Sequence, residues 1–509
     1  MAVLLLSMSV KGYGLVMKKK KILAAVLAAT SIYWGAGTED ASAYQSIFPN
    51  MGYSWVGDTM PFYDGEQFRI FYLEDLRDGD TGFHPWSLWT TKDFTDYHHD
   101  SKVIPYDTDN EFAKDSALGT GSVVQDKDGL YHAFYTGFNW RSMPKENIMH
   151  AVSRDLVSWQ KLPEDSFQGS KPYIYDDTFR DPNVFYNADY EEYWMLITTR
   201  NQKPCGVIAL YTSKDLKHWE DKGVLFENDM GSDANMECPT LVKYGDYWYL
   251  TFSDQWPNRV VHYRMAKDSK GPFEKPAQDY FDASGFYAGK LAQDKKDLYL
   301  VGWTPTKWDG LDKRPTDWAG NMVTHQLKQR ADGTLYPVPV EKAVAKLKQE
   351  VALSPFMQKG DVSVAGTDYH FGGKDLSSVV MSKMSGIRKI TGRFTPANQQ
   401  GKFGLMFNVG PNQTGALNLV FDPAAQQVAF YNTDTAKVSK AKPELSVPVS
   451  FQPGQNYDFT LLIDGTVAVL YINDQMALST RMYGLPEHQW GIFSMGSEVS
   501  LTGLQSRTF

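Results

Sequence analysis

Three acidic residues stand in settings that suit chemistry: Asp58 in VGDTMP, Asp181 in FRDPNV and Glu237 in MECPTL. Carboxylates brought together from distant positions can divide acid and base work between them. Cleavage of a glycosidic bond needs such a pair, one ionised as nucleophile or base and one protonated as acid. Mutual repulsion and partial burial separate the two pKa values, so both states coexist near neutral pH. A third carboxylate can hold sugar hydroxyls and help bind a positively charged transition state. Asp and Glu also close turns and accept backbone hydrogen bonds, so each of the three taken alone reads as structural. What matters is whether the fold gathers them.

A repeat supplies the gathering. Five aromatic-rich alternating segments recur: GEQFRIFYLED, DGLYHAFYTGF, EEYWMLITTR, GDYWYLTFSDQ and KDLYLVGWTP. Their markers Phe68, Tyr131, Tyr193, Tyr247 and Tyr299 are 63, 62, 54 and 52 residues apart. After four of them follows a turn-like piece: TTKDFTDY, VSRDLVSW, TSKDLKHW and MAKDSKGPF. Its aspartates, Asp93, Asp155, Asp215 and Asp268, are expected to bond local backbone N–H groups. Five units of this length, each with room for four short strands, predict a five-bladed β-propeller over residues 44–345. In propellers the first strand of each blade lines the central channel. Ten to twelve residues before the markers lie Asp58, Gly121, Asp181, Glu237 and Tyr287, so the three carboxylates are expected at one phase of the repeat, facing one funnel.

The helical-looking VEKAVAKLKQE marks a linker, and residues 346–509 alternate as short strands between Gly, Asn, Asp and Pro turns. That pattern predicts a C-terminal β-sandwich, and the fold class is all-β. At the other end, Lys18 to Lys21 precede the apolar stretch Ile22 to Trp34 and then Ala41-Ser42-Ala43. These are the three parts of a secretory signal peptide of bacterial type. Residues 1–43 are therefore expected to be a cleaved leader starting at Met17, leaving an exported chain with no membrane span. The net charge is −9, and no other basic tract exists to meet a nucleic-acid backbone. Two cysteines, Cys205 and Cys238, make neither a disulfide framework nor a zinc site. The acidic stretch 107–115 lacks the oxygen spacing of a calcium loop. With no P-loop, G-x-G-x-x-G, H-E-x-x-H or G-x-S-x-G, no cofactor or metal is expected.

The blocks W-V-G-D (Trp55 to Asp58), F-R-D-P (Phe179 to Pro182) and E-C-P (Glu237 to Pro239) resemble the signatures of glycoside hydrolase family 32. F-Y-A at Phe286 to Ala288 and T-G-S at Thr120 to Ser122 match weaker blocks. The family contains invertases, levanases, inulinases and related fructosyltransferases, and joins a five-bladed propeller to a C-terminal sandwich. The resemblance implies that Asp58 is the nucleophile, Glu237 the acid/base and Asp181 the transition-state stabiliser beside Arg180. It implies hydrolysis of β-D-fructofuranosyl linkages in a fructose-containing oligo- or polysaccharide, with retention. One block departs: the family's usual W-M-N-D-P-N is here W-V-G-D-T-M, so Gly57 and Met60 replace the asparagines flanking Asp58. That marks a divergent branch and bears on fructosyl binding.

Six tryptophans, Trp55, Trp86, Trp140, Trp256, Trp303 and Trp308, fall near strand ends or loops, where rings stack on sugars or pack between blades. Substrate contacts are expected from Trp55, Trp86, Ser122, Arg180, Tyr287 and Trp303. Three other readings compete: a fructosyltransferase, an inverting arabinan or xylan glycosidase on the same scaffold, and a non-catalytic carbohydrate-binding propeller. The inverting reading requires carboxyl groups about 6.5–9.5 Å apart, against about 5–5.5 Å for retention. Arg180 and Cys238 favour the fructan reading.

Overall fold

The computed structural model describes residues 44–77, 84–169, 173, 178–203 and 205–509. The expected leader, residues 1–43, lies outside the described residues. The described chain is all-β: 35 strands and one α-helix, Glu341–Val344, inside the stretch expected to be a linker. No helix among these residues is long and apolar enough to cross a membrane.

Up to residue 338 the strands run as antiparallel meanders. Each meander opens with one of five strands: β1 (Trp55–Tyr63), β2 (Ala117–Gln125), β3 (Phe179–Asn187), β4 (Met236–Tyr244) and β5 (Tyr287–Gln293). The aromatic segments found in the sequence are the second strands, paired to these. β1 lies against β2, β2 against β3, β3 against β4, β4 against β5, and β5 against β1. The first and last meanders join through one pair, Gly320 with Val56. The repeated aspartates close their turns as expected. Asp93 Oδ1 accepts the N–H groups of Thr95 and Asp96, Asp155 Oδ1 those of Val157 and Ser158, and Asp215 Oδ1 those of Lys217 and His218. Backbone hydrogen bonds hold the Asp155 carboxyl at about 2.

Beyond residue 349 two antiparallel sheets share one core, to which Phe371, Phe394 and Phe459 contribute from one sheet and Phe403, Phe421 and Ile492 from the other. This half also braces the site. Arg481 donates to the carbonyls of Thr304 and Pro305, both at 3.0 Å, immediately after Trp303.

Candidate active site

All five opening strands carry the same irregularity. Two residues of the opening strand stand against one of its partner: Gly57 and Asp58 in β1, Gly119 and Thr120 in β2, Asp181 and Pro182 in β3, Cys238 and Pro239 in β4, Ala288 and Gly289 in β5. A bulge of this kind bends the strand and re-aims its side chains, and such bulges gather beside active sites. Asp181, Cys238 and Ala288, which all occupy the first bulge position, have φ of 59°, 54° and 52°, a strained conformation for residues with a Cβ.

The register corrects the expected equivalence of the carboxylates. Glu237 is the last paired residue before its bulge, Asp181 is the first bulged residue, and Asp58 is the second. They occupy three successive positions of one motif, not one phase. The residue of β2 matching Asp58 is Thr120, not Gly121.

The three still converge, and Cys238 marks the junction. Its N–H donates to Asp181 Oδ2 at 2.9 Å, and its sulfur is 3.7 Å from Asp58 Oδ2. Burial pushes this thiol well above its usual value and the adjacent Asp58 reinforces the rise, so it stays protonated. Both cysteines are free.

Each oxygen of Asp58 has a fixed donor: the Thr120 hydroxyl at 2.6 Å from Oδ2 and the Trp303 indole N–H at 3.0 Å from Oδ1. Burial raises the Asp58 carboxyl above its ordinary value and Glu237 adds to this, while Thr120, Trp303 and Lys290 oppose it. Glu237 is held from two sides, by Arg180 Nη2 on Oε1 at 2.8 Å and by the Tyr287 hydroxyl on Oε2 at 2.6 Å. Arg180 also reaches Glu146 at 3.1 Å, and Glu146 Oε2 accepts the Phe179 N–H at 2.6 Å. Burial works against the Arg180 charge, but Glu146, Glu237 and Asp181 together hold its pKa above the usual arginine value. Burial lifts the Asp181 carboxyl; Arg180 opposes that, and Glu237 and Asp58 reinforce it. An aimed carboxylate beside a second, independently oriented carboxyl group can serve nucleophilic attack paired with proton transfer. Among the described residues no group of three or more His, Cys, Asp and Glu is arranged to hold a metal ion.

The expected binding residues divide. Trp86 is fully buried against Phe71 and Tyr135, and its indole N–H donates to the Gly119 carbonyl, so it offers no face to a sugar. Ser122 spends its hydroxyl on the Pro182 carbonyl and the Val184 N–H, which stitches β2 to β3. Trp303 is buried edge-on between Tyr287 and Trp318, and its contribution is the hydrogen bond to Asp58. Tyr287 likewise orients Glu237 instead of stacking. Arg180 lies among the carboxylates, and Trp55 is half-buried at the start of β1.

Four participants had escaped the sequence. Thr120 was visible only as part of T-G-S, and Glu146 carried no motif. Lys290, 2% exposed, donates to the Gly121 carbonyl at 2.6 Å; burial pulls its pKa down while Cys238, Asp181 and Asp58 resist. Trp318 explains a departure from the family motif. A Cβ on Gly57 would lie 2.2 Å from Trp318 Cη2, so the indole occupies the space of any side chain there. His84 stacks on the same indole at 4.4 Å. Met60 faces the core, where its sulfur accepts the Gly121 N–H.

The fold and these blocks define a glycosidase-type site, and comparison with known families is specific. The model of glycosyl hydrolases family 32, N-terminal domain, matches residues 53–338. A second model, described as GH32, BT1760-like, C-terminal domain, matches residues 333–506. The chain belongs to glycosyl hydrolase family 32. Among curated relatives, the sucrose-6-phosphate hydrolase of Escherichia coli is 25% identical over 315 residues, 57% of this chain and 63% of that protein. The raffinose invertase of Escherichia coli is 25% identical over 342 residues, 60% of this chain and 66% of that protein. The chain thus spans slightly less than two thirds of either relative. A levanbiose-producing levanase of Geobacillus stearothermophilus is 22% identical, over 60% of this chain and 81% of that protein. Among solved structures, the exo-inulinase from Aspergillus awamori shares the fold with a TM-score of 0.70 at 17% identity, covering 93% of this chain and 99% of that one.

Proposed function

We propose that this protein is an exported glycosidase that hydrolyses β-D-fructofuranosyl linkages, in sucrose or in levan- or inulin-type fructans, by double displacement. The reading takes residues 1–43 as a cleaved leader, residues 44–345 as a five-bladed propeller and residues 346–509 as a sandwich. The cyclic contacts of β1 to β5 and the five matching bulges support the propeller. The named activities of the relatives support the substrate class.

In this mechanism Asp58 attacks the anomeric carbon while Glu237 protonates the departing oxygen, giving a fructosyl ester on Asp58. Glu237 then takes a proton from water, which releases fructose with retention. Asp181 and Arg180 bind fructosyl hydroxyls and balance the charge of the transition state. The observation that carries the reading is the pair of donors on Asp58. Thr120 and Trp303 favour its ionised form against burial and fix its aim.

Incubation with sucrose, levan, inulin and arabinan, followed by chromatography, tests it. Free fructose is the expected product. Longer fructo-oligosaccharides would instead indicate transfer to sugar, arabinose an arabinan glycosidase, and no change a binding protein.

A further inference from the structure

Lys290 has no part in the mechanism above, yet it stands among the groups that carry it. It follows the bulge of β5, and in the cyclic order of opening strands β1 lies between β5 and β2. The side chain bridges that interval, donating from Nζ to the Gly121 carbonyl of β2 at 2.6 Å. Gly121 follows Thr120, whose hydroxyl holds Asp58, and its own N–H donates to the sulfur of Met60, two residues after Asp58. The ammonium is thus anchored within the set of residues that fixes Asp58, and it is 2% exposed. Burying an ammonium is unfavourable, and here burial opposes its charge. A glutamine amide could make the same hydrogen bond to a carbonyl with no charge to bury. The tie to Gly121 alone therefore does not account for a lysine.

The carboxylates account for it. Cys238 stands between Asp181 and Asp58, its N–H on the first and its sulfur against the second. Double displacement needs both ionised in the free enzyme, Asp58 to attack and Asp181 to balance the developing cation, while Glu237 keeps its proton. The titratable groups around the two are Arg180 on β3, Glu237 and Cys238 on β4, and Lys290 on β5, with the Tyr287 hydroxyl on Glu237. Burial keeps the Cys238 thiol and the Tyr287 phenol protonated. Arg180 is committed through Nη1 to Glu146 and through Nη2 to Glu237, and its Nε stands 4.0 Å from Asp181. Lys290, bonded to a carbonyl, is the cation whose charge remains for Asp58 and Asp181.

We propose that Lys290 is a positioning residue whose buried charge, set among the opening strands, keeps Asp58 and Asp181 ionised together. This rests on Asp58 being the nucleophile of a β-fructosidase. It gives the lysine a role in the acid tolerance of the enzyme, acting through Asp58 without touching the sugar.

The pH profile of kcat/KM, on whichever of sucrose, levan or inulin the wild type cleaves, tests this. Lys290→Gln keeps an amide donor for Gly121 and removes the charge. Its acidic limb should move up by about one pH unit, the lower end of the shift that a nearby opposite charge gives a carboxylate. On that limb kcat/KM should then fall about tenfold against wild type. Lys290→Arg keeps the charge, and its limb should stay with that of the wild type even where its plateau rate is lower. If the glutamine variant does not fold, Lys290→Met, whose apolar chain suits a buried position, carries the same prediction. An unmoved limb in the uncharged variant, or equal shifts in the uncharged and arginine variants, would reduce Lys290 to a tie between β5 and β2 and overturn the proposal while leaving the fructosidase intact. A wild-type enzyme inert toward all three substrates overturns the parent reading and this one with it.

Discussion

The indole N–H of Trp303 donates to Asp58 Oδ1 at 3.0 Å, and so joins residues 245 positions apart in the chain. With the Thr120 hydroxyl on Oδ2 it fixes the plane of the carboxylate. Donors aimed at a charged group stabilise that form, so removing one raises the pKa of the group. Trp303→Phe and Thr120→Val should each cut kcat/KM about 10- to 100-fold, in line with ~1.5–3 kcal/mol for a hydrogen bond to a charged group. Both should also move the acidic limb of the kcat/KM profile to higher pH. A pH–rate series reads this directly; a loss of rate with an unmoved limb would mean that the donors do not act on Asp58.

Asp58 has an opposite effect on folding. Its folded pKa is raised by burial, so its contribution to stability is full below the unfolded value of about 4 and is lost as pH rises through the folded value. Asp58→Asn should therefore be more stable than wild type at pH 7 while losing turnover. The gain follows from removing a charge that burial disfavours. It should vanish at about pH 3, below the unfolded value, where the wild-type carboxyl is largely protonated in both states. Denaturant unfolding at the two pH values checks the sign.

The packing of Trp318 on Gly57 predicts a specific incompatibility. Gly57→Ala places a methyl where the indole lies, at a cost of ~1–3 kcal/mol for overpacking, with reduced activity. Gly57→Asn, the family's residue at this position, should be worse alone and tolerated together with Trp318→Ala. A double-mutant cycle on unfolding free energy should show strong coupling; additive losses would mean that the ring yields freely.

Tyr287 and Arg180 hold Glu237, the acid of the proposed mechanism. Glu237→Gln should hurt poor leaving groups most, and Tyr287→Phe should do so more mildly, because a displaced acid matters least when the departing oxygen needs no proton. Rates on methyl β-D-fructofuranoside and β-fructofuranosyl fluoride separate the cases. Equal losses on both would argue against acid catalysis by Glu237.

The repeat was legible because a half-buried strand must alternate and a tight turn needs its aspartate; both leave a mark in the sequence at a regular spacing. The gathering of Asp58, Asp181 and Glu237 was legible for the same reason. Their relative placement was not. A bulge adds a residue without a sequence signal of its own, so counting from Tyr131 reached Gly121 and missed Thr120, the residue that touches Asp58. The aromatics failed differently. Trp86 and Trp303 look alike as loop-edge rings, and only packing distinguishes a core residue bonded to Gly119 from one bonded to Asp58. Trp318 and Gly57 constrain each other across 261 positions, a relation that exists only in three dimensions.

The central claim is that Asp58 becomes covalently bonded to fructose. Glu237→Gln incubated with β-fructofuranosyl fluoride, whose departure needs little acid, should accumulate an adduct one anhydrofructose unit heavier, because the second step lacks its base. Peptide mapping by mass spectrometry should place that unit on the peptide that contains Asp58. Turnover with no adduct, or an adduct on another residue, would contradict the double-displacement account.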